Sequence, residues 1–309
     1  MMTWPALQVI PSAMKSMTRL SVMVLTAVIL GGGDQRRIAA QPAAAVSGGS
    51  FVKVDGASLY YEECGTGPDA VLLVHDGVVH SAVWDDVWPA FCRRFHTIRY
   101  DRRGYGRSLA TTTWYSETDD VAAILQRTHV TRVTIVGSSH GGEISINFVL
   151  AHPDVVKRLV LVGAVVGGFP YTEHFVARVT GILAPLRKGD VTGALTAMAN
   201  DRWVIAPGND AARKKLLDLL RASPQDLTHA DQILPPKPAL PRLGDIHVPT
   251  LILIGAEDIP DVHAHAGAIE AGIPRARRMV ISGTGHLMYL EKPDVFVQAV
   301  MSFLDGNPD

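Results

Sequence analysis

The pentapeptide Gly137–Gly141, with the sequence GSSHG, constrains the fold of this chain more than any other feature. The β-branched run Thr131–Val136 before it is typical of a buried strand, and Gly142–Ala151 after it has apolar residues at helical spacing. A Gly-x-Ser-x-Gly sequence between a strand and a helix forms a sharp turn, in which glycines permit strained backbone angles and close strand–helix contact. Such a turn exposes the serine hydroxyl above the sheet, so Ser139 is a candidate nucleophile.

An acid and a histidine follow Ser139 in an order that suits catalysis. The apolar run Pro249–Gly255 predicts a buried strand that ends shortly before Asp258. A second, short strand is predicted over Arg278–Ser282, and His286 follows it. The carboxyl ends of parallel strands meet at one edge of an open sheet, so these side chains are expected to converge. The motif around the serine also occurs in ordinary loops, and the ordered set of three residues is what favours a catalytic role.

Predicted strands and helices alternate along most of the chain. Strands are predicted near residues 51–54, 57–63, 70–75, 96–101, 132–137, 157–163, 249–255 and 277–282, and helices near 83–94, 117–127, 141–151, 262–271 and 294–304. After an opening hairpin that turns at residues 55–56, this pattern predicts an α/β fold with a mostly parallel sheet covered by helices on both faces. Between Val165 and about Leu240 the strand signal disappears, and helical patterns at 175–186 and 211–222 indicate a helical insertion.

Six motifs in this order resemble those of the α/β-hydrolase superfamily of serine hydrolases. They are Val71–His75, Tyr100–Ser108, Gly137–Gly141, His152–Val162, Gly255–Asp258, and Gly285–His286 with Glu291–Pro293. The resemblance covers the chain from about Phe51 to Leu304. It implies one hydrolase domain over residues 51–309, in which residues 166–240 form a small helical cap over the active site. The fold hosts many chemistries, so the substrate is less well specified than the fold.

The resemblance also implies a catalytic triad of Ser139, Asp258 and His286. A serine hydroxyl attacks efficiently only when a base takes its proton, which is the role of His286. Asp258 is expected to hold the imidazole in the correct tautomer and to stabilise its charged form. We expect the rate to rise as His286 loses its proton, with an apparent pKa of about 6.5–7 if the ring lies near its free value.

The negative charge of the intermediate requires backbone N–H donors in an oxyanion hole. In similar proteins one donor is the residue after the nucleophile, here His140, and the other lies in the loop after His75, where Gly77 is the matching position. The loop departs from the family pattern because Asp76 stands where glycine is usual. We expect Asp76 to turn outward and bind loop amides. The alternative is that it tunes the site by raising its own pKa or that of His286.

Several other polar and aromatic residues are expected to be structural. The side chain of His140 is expected to pack or line a pocket, and Trp84 to lie in the core. Asp261 is expected to cap the helix that begins near residue 262. His263 and His265 are spaced like metal ligands, but no cysteine or acid cluster completes a ligand set. They are expected to lie on a solvated helix face, and no metal is predicted.

The N-terminal region has the pattern of a secretory signal peptide. Lys15 and Arg19 precede the apolar run Leu20–Leu30, which is shorter than the roughly 20 residues that a spanning helix needs. Residues 1–33 are therefore predicted to be a signal peptide or apolar segment, and residues 34–50 a disordered linker. We expect an exported protein, periplasmic or secreted, with an uncleaved membrane tether as the alternative.

The chain has only two cysteines, Cys64 and Cys92. An oxidising compartment would permit a disulfide between them. Their separation along the sequence is weak evidence for pairing, and we expect two free, partly buried thiols.

These observations predict a serine hydrolase that cleaves carboxylic ester or related acyl bonds through an acyl-enzyme. A lactonase or a hydrolase of carbon–carbon bonds would use the same triad, and a non-catalytic ligand-binding protein is the alternative from another class. No cofactor is required, and the expected partner is a small ester-like molecule. The net charge of −1 gives no indication of a nucleic-acid partner. No stable membrane span is expected, and the oligomeric state is left open.

Overall fold

The computed structural model describes residues 49–230 and 232–306. The predicted signal peptide and all but the last two residues of the predicted linker lie outside the described residues. Ser50, the last residue of that linker, already belongs to the first strand. No helix in these two ranges combines the length and the apolar character needed to cross a membrane.

Eight strands in the described chain form one sheet. They are β1 Ser50–Val54, β2 Ala57–Cys64, β3 Ala70–Val74, β4 His96–Tyr100, β5 Val133–Ser138, β6 Val156–Val162, β7 Thr250–Gly255 and β8 Ala276–Ile281. Their order across the sheet is β1-β2-β4-β3-β5-β6-β7-β8. The pairs β1–β2 and β2–β4 are antiparallel, and every other pair is parallel. The mostly parallel α/β sheet predicted from the sequence is confirmed.

Helices cover both faces of this sheet. They are α1 Trp88–Cys92, α2 Glu117–Arg127, α3 His140–Ala151, α4 Glu173–Leu183, α5 Val191–Asn200, α6 Asp210–Ala222, α7 Pro260–Gly272, α8 Met288–Glu291 and α9 Pro293–Leu304. One core packs α2, α3 and α7 against strand residues such as Leu72 and Ile135. The other packs α1, α5, α6 and α9 against their neighbours Leu73 and Val136. This division follows from the two-residue period of a strand, which sends successive side chains to opposite faces.

The helices differ from the prediction in three places, one of which is the four-residue α8, which was not predicted. The helix predicted over 83–94 is instead a 3-10 turn at Ser81–Trp84 followed by α1. Pro89 lies at the start of α1, where its missing N–H costs nothing, but its ring does not permit the helix to continue from the preceding turn. The insertion also contains α5, which the sequence did not predict, because Gly193 and two threonines weaken its helical signal.

Cys64 and Cys92 form a disulfide with a Cα–Cα distance of 5.3 Å, so the expectation of two free thiols is wrong. Cys64 is the last residue of β2 and pairs in register with Thr97 on β4. Cys92 ends α1, which leads directly into β4 at His96. The pairing of β2 with β4 therefore brings the two cysteines together, and sequence spacing contains no information about that pairing.

Candidate active site

Ser139 occupies the turn between β5 and α3 with backbone angles φ 52° and ψ −115°. Among the described non-glycine residues, only His129 and Ser139 have positive φ. Such a conformation costs about 1–3 kcal/mol and persists only where the surroundings enforce it. The Ser139 N–H donates to the carbonyl of Val162 at 2.8 Å, and the Ser139 carbonyl accepts from Gly142 N–H at 2.9 Å. The turn predicted from GSSHG is therefore present, and Ser139 is the N-cap residue of α3.

Asp258 and His286 lie in direct contact at the same edge of the sheet. His286 Nδ1 and Asp258 Oδ1 are 2.9 Å apart, and both side chains are buried. Asp258 Oδ1 also accepts from the N–H of Ile259 at 2.7 Å. Its second oxygen, Oδ2, has no hydrogen-bond partner among the described residues. A buried carboxylate with one oxygen unpartnered favours a positive charge on the adjacent ring.

The pKa of the His286 imidazole is raised above 6.5. Burial alone would lower it, but the charge of Asp258 and the hydrogen bond to it act in the opposite direction and prevail. The negative charge of Asp76 also raises the pKa, and Arg178 lowers it. The pKa of this ring therefore lies above its free value in this environment.

Gly163, the first residue after β6, lies against the His286–Asp258 pair. It has φ 51°, and a Cβ at this position would come within 3.0 Å of His286 Nδ1 and 3.1 Å of Asp258 Oδ2. The residue before it, Val162, accepts the hydrogen bond from Ser139. The ring of His286 thus lies over the strand end that holds Ser139, although no described hydrogen bond joins the two side chains. In free enzymes such catalytic hydrogen bonds are often long and tighten only with bound substrate.

The backbone N–H groups of Gly77 and His140 have no acceptor among the residues that the structure describes. The two residues lie next to each other: a Cβ on Gly77 would be 3.8 Å from His140 Cβ. Two adjacent N–H groups without an acceptor, one of them at the start of a helix, are suited to bind a developing oxyanion. The sequence predicted both residues for this role.

Asp76 does not turn outward. It is fully buried, and its Oδ1 accepts from the N–H groups of Val78 at 2.5 Å and Val79 at 3.0 Å. The binding of loop amides is thus confirmed, whereas the outward orientation is wrong. Tyr289, whose role no sequence motif indicates, explains the burial because its hydroxyl donates to Asp76 Oδ2 at 2.8 Å.

The side chain of His140 belongs to an ionic network rather than to a packed core. Its Nε2 lies 2.8 Å from Glu117 Oε2, and its Nδ1 lies 3.4 Å from Glu143 Oε2. Burial and the charge of Arg102 oppose the charged form, but the Glu117 and Glu143 carboxylates together outweigh them and raise the pKa of His140 to about 9. The ring is therefore an imidazolium at neutral pH and does not act as a second base. Glu117 is far away in the sequence, and no local pattern indicated its role.

The predictions that Asp261 caps its own helix and that His265 is exposed to solvent are wrong. The prediction that Trp84 lies in the core is confirmed. Asp261 does not cap its own helix but accepts from the N–H and hydroxyl of Thr172 at 2.7 and 3.0 Å. His265 is buried, and its Nδ1 accepts from the N–H of Val166. The insertion covers this face of α7, which the helical pattern alone could not reveal. Trp84 is fully buried, as expected.

A family model described as the alpha/beta hydrolase fold matches residues 69–293. The chain therefore belongs to the α/β-hydrolase fold family, as its motifs and its sheet indicated.

Two relatives of the chain are hydrolases with different substrates. The pimeloyl-(acyl-carrier protein) methyl ester esterase of Nitrosomonas europaea is 27% identical over 256 residues, which cover 78% of this chain and 97% of the esterase. The 2-hydroxy-6-oxononadienedioate/2-hydroxy-6-oxononatrienedioate hydrolase of Paraburkholderia xenovorans is 28% identical over 278 residues, covering 82% and 94%.

A solved structure with a similar fold is that of Est816, described as an N-acyl homoserine lactone degrading enzyme. It is 27% identical with a TM-score of 0.66, and the match covers 82% of this chain and 100% of that one. These comparisons place the chain among hydrolases.

Proposed function

We propose that this protein is a serine hydrolase that cleaves carboxylic esters, with Ser139, His286 and Asp258 as its catalytic triad. The observation that carries the proposal is the arrangement around Gly163, where the buried His286–Asp258 pair lies over the strand end to which Ser139 is bound. A binding protein has no use for a strained serine, a carboxylate-backed imidazole and two free N–H groups at one edge of a sheet.

In the proposed mechanism Ser139 Oγ attacks the acyl carbon of the ester while His286 Nε2 takes the hydroxyl proton. Asp258 stabilises the imidazolium that results. The carbonyl oxygen becomes an oxyanion, which accepts from the N–H groups of Gly77 and His140. Collapse of this intermediate breaks the bond to the alcohol oxygen, and His286 donates its proton to the leaving alcohol. Water, deprotonated by His286, then attacks the acyl-enzyme and releases the carboxylic acid and free Ser139.

Esters are proposed before carbon–carbon bonds because attack on an ester needs only the groups described above. A lactone is a cyclic ester, and the same steps open its ring. The similarity to a lactone-degrading enzyme supports the inclusion of lactones in the substrate panel.

Ser139→Ala tests the proposal directly. Wild-type protein is expected to hydrolyse members of a panel of p-nitrophenyl esters and lactones and to be labelled at Ser139 by a fluorophosphonate. Ser139→Ala is expected to lower kcat by about 10⁴-fold or more and to prevent labelling. Ser145→Ala is the matched control, because Ser145 lies in the helix that follows Ser139 and its one hydrogen bond among the described residues is donated to the carbonyl of Gly141. Equal activity of Ser139→Ala and wild type would refute the proposal.

The pH dependence provides a second test. Because the base must be neutral and the pKa of His286 is raised, kcat/KM is expected to rise with pH through a midpoint above 6.5. Asp258→Asn removes the charge that raises this pKa, so the midpoint is expected to fall and kcat to fall by about 10³–10⁴-fold. A wild-type rate that does not change between about pH 5 and 8 would contradict the role of His286.

We also propose that the protein acts outside the reducing cytoplasm. The Cys64–Cys92 disulfide supports this location, because disulfides persist mainly in oxidising compartments. The basic and apolar pattern of residues 1–33 is consistent with export. Fractionation of cells that express the full chain, followed by thiol labelling of the recovered protein, would test the proposal. Recovery in the cytoplasm with two free thiols would contradict it.

A further inference from the structure

Asp76 is a buried carboxylate beside the reacting groups that the proposed mechanism does not use. It is fully buried. A charge in such a place is costly unless several hydrogen bonds compensate it. Its three partners are the N–H groups of Val78 and Val79 on Oδ1 and the hydroxyl of Tyr289 on Oδ2.

The first set of contacts shapes the oxyanion loop, which we define as residues 75–79. An aspartate oxygen that accepts from backbone N–H groups two and three residues later fixes a tight turn. In this turn the N–H groups of Val78 and Val79 donate hydrogen bonds to Asp76. The N–H group of Gly77 has no described acceptor. A glycine in place of Asp76 could not fix the turn in this way.

The second contact links this loop to the segment that carries His286. Tyr289 follows His286 by three residues and is the second residue of α8. Its ring packs against Trp84 and Phe296, with ring centres 4.2 and 5.7 Å away, so its position is well determined. Burial, followed by the charge of Asp76, raises the pKa of Tyr289 well above its usual value, and the hydroxyl remains a donor. Ser138 Oγ lies 3.0 Å from the same hydroxyl.

We propose that Asp76 is a positioning residue that fixes the oxyanion loop relative to His286 through Tyr289 and adds a second negative charge that stabilises the protonated ring of His286. The proposal rests on the proposed serine hydrolase function. Among the described residues, three charged groups have the main effect on this ring: Asp258 after β7, Asp76 in the oxyanion loop, and Arg178 on α4, which opposes the other two.

Two substitutions separate the two parts of this role. Asp76→Asn retains an oxygen for the loop amides but removes the charge. Tyr289→Phe removes the link between the loop and α8 but leaves the charge. The matched controls are Asp261→Asn, a buried aspartate that accepts from an N–H and a hydroxyl outside the site, and Tyr60→Phe, whose hydroxyl donates to Glu62 at 2.7 Å. Each protein is assayed for kcat, KM and the pH dependence of kcat/KM on one p-nitrophenyl ester.

The two variants are expected to differ in their pH profiles. Asp76→Asn is expected to lower kcat about tenfold and to move the rising limb of kcat/KM to lower pH by about 0.5–1 unit. Tyr289→Phe is expected to lower kcat about tenfold without moving that limb to lower pH, because the charge remains. KM is expected to change little in both, because the oxyanion forms only after binding. Neither control is expected to move the limb.

Unchanged kcat and an unchanged rising limb in both variants would overturn the positioning role. A loss of kcat no larger than in the two controls, with the limb at its wild-type pH, would also overturn it, because this pattern indicates general destabilisation. Thermal unfolding is measured for each protein, and Tyr289→Phe carries the test if Asp76→Asn does not fold. Failure of the proposed function is distinguishable, since the wild type would then neither hydrolyse the panel nor label at Ser139. The positioning role would fall with it.

Discussion

Neighbouring carboxylates and backbone groups set the charge of each histidine at the edge of the sheet. His75 is buried, and burial, with help from the charge of Arg102, lowers its pKa well below 6.5. Its Nε2 accepts from the N–H of Arg102 at 2.9 Å, which leaves the proton on Nδ1. His140 lies within 2.8 Å of a Glu117 oxygen and is cationic instead. Residue type therefore does not determine protonation here, because burial and the charges near each ring do.

Titration of His140 by NMR is expected to show a midpoint near pH 9, because the pKa of the ring is raised to about 9. Its pairing with Glu117 stabilises the fold fully below pH 6.5, and this stabilisation is lost as the pH rises through about 9. Glu117→Gln removes the main cause and is expected to lower the midpoint by more than one unit. Glu63→Gln, which removes the charge beside the half-buried His96, is the control and is expected to leave the His140 midpoint unchanged. A wild-type midpoint at or below 6.5 would show that the ring is not paired as described.

At the scale of elements, the ends of parallel strands bring the candidate groups together. The strands β5, β6 and β7 are neighbours in the sheet, and Ser139, Gly163 and Asp258 follow them at the same edge. Because the strand ends adjoin, the residue after each of them has little room. Gly163 leaves the space that the His286–Asp258 pair occupies.

Gly163→Ala is expected to lower kcat/KM by about 100-fold, because the new methyl group displaces the ring of His286. The positive φ also costs about 1–2 kcal/mol of stability. Gly189→Ala is the matched control, since Gly189 has φ 73° and no atom within 4 Å of a Cβ. The control is expected to lose similar stability but no activity. Equal activities of the two variants would show that a side chain at position 163 does not displace the ring of His286.

The disulfide connects two other elements, β2 and α1. It closes a segment between residues 28 apart in the sequence, which limits the freedom of the unfolded chain. Cys64→Ser/Cys92→Ser is expected to lower the free energy of unfolding by about 2–4 kcal/mol, measured by urea denaturation. Reductant is expected to destabilise the wild type by a similar amount and to leave the double variant unaffected. The stabilising contribution of the disulfide would be contradicted if reductant left the free energy of unfolding of the wild type unchanged, even after full unfolding and refolding.

At the scale of the whole molecule, the insertion between β6 and β7 is bound to the segments that follow β3 and β4. Asp226, buried in the insertion, accepts from the N–H of His80 at 3.1 Å and from Gly106 N–H at 2.9 Å, and contacts His80 Nδ1 at 2.7 Å. On the other side, the carbonyl of Trp203 accepts from the His286 N–H at 2.9 Å. The insertion therefore contacts both loops that supply the site.

Asp226→Asn is expected to lower the free energy of unfolding by about 1–3 kcal/mol. The single carbonyl oxygen of asparagine cannot accept all the hydrogen bonds that the two carboxylate oxygens of Asp226 accept. Hydrogen exchange of the His80 and Gly106 amides is expected to become faster, whereas that of the β5 amides is not. Asp190→Asn is the control in the same insertion, because its oxygen only accepts from Gly193 N–H and asparagine caps equally well. Unchanged exchange at His80 and Gly106 would show that Asp226 does not hold the insertion in place.

The sequence by itself determined the eight strands, the turn at Ser139 and the order of serine, acid and histidine. These features depend on local chemistry: a strand is recognised from its β-branched run, and a strained turn from its glycines. Only the tertiary structure decided what lies against each residue. The pairing of β2 with β4 brings the two cysteines into contact. The insertion buries His265 and contains the hydrogen-bond partner of Asp261, and Tyr289 donates a hydrogen bond to Asp76. Such contacts arise between residues distant in the chain, where burial and charge act through space and leave no periodic pattern in the sequence.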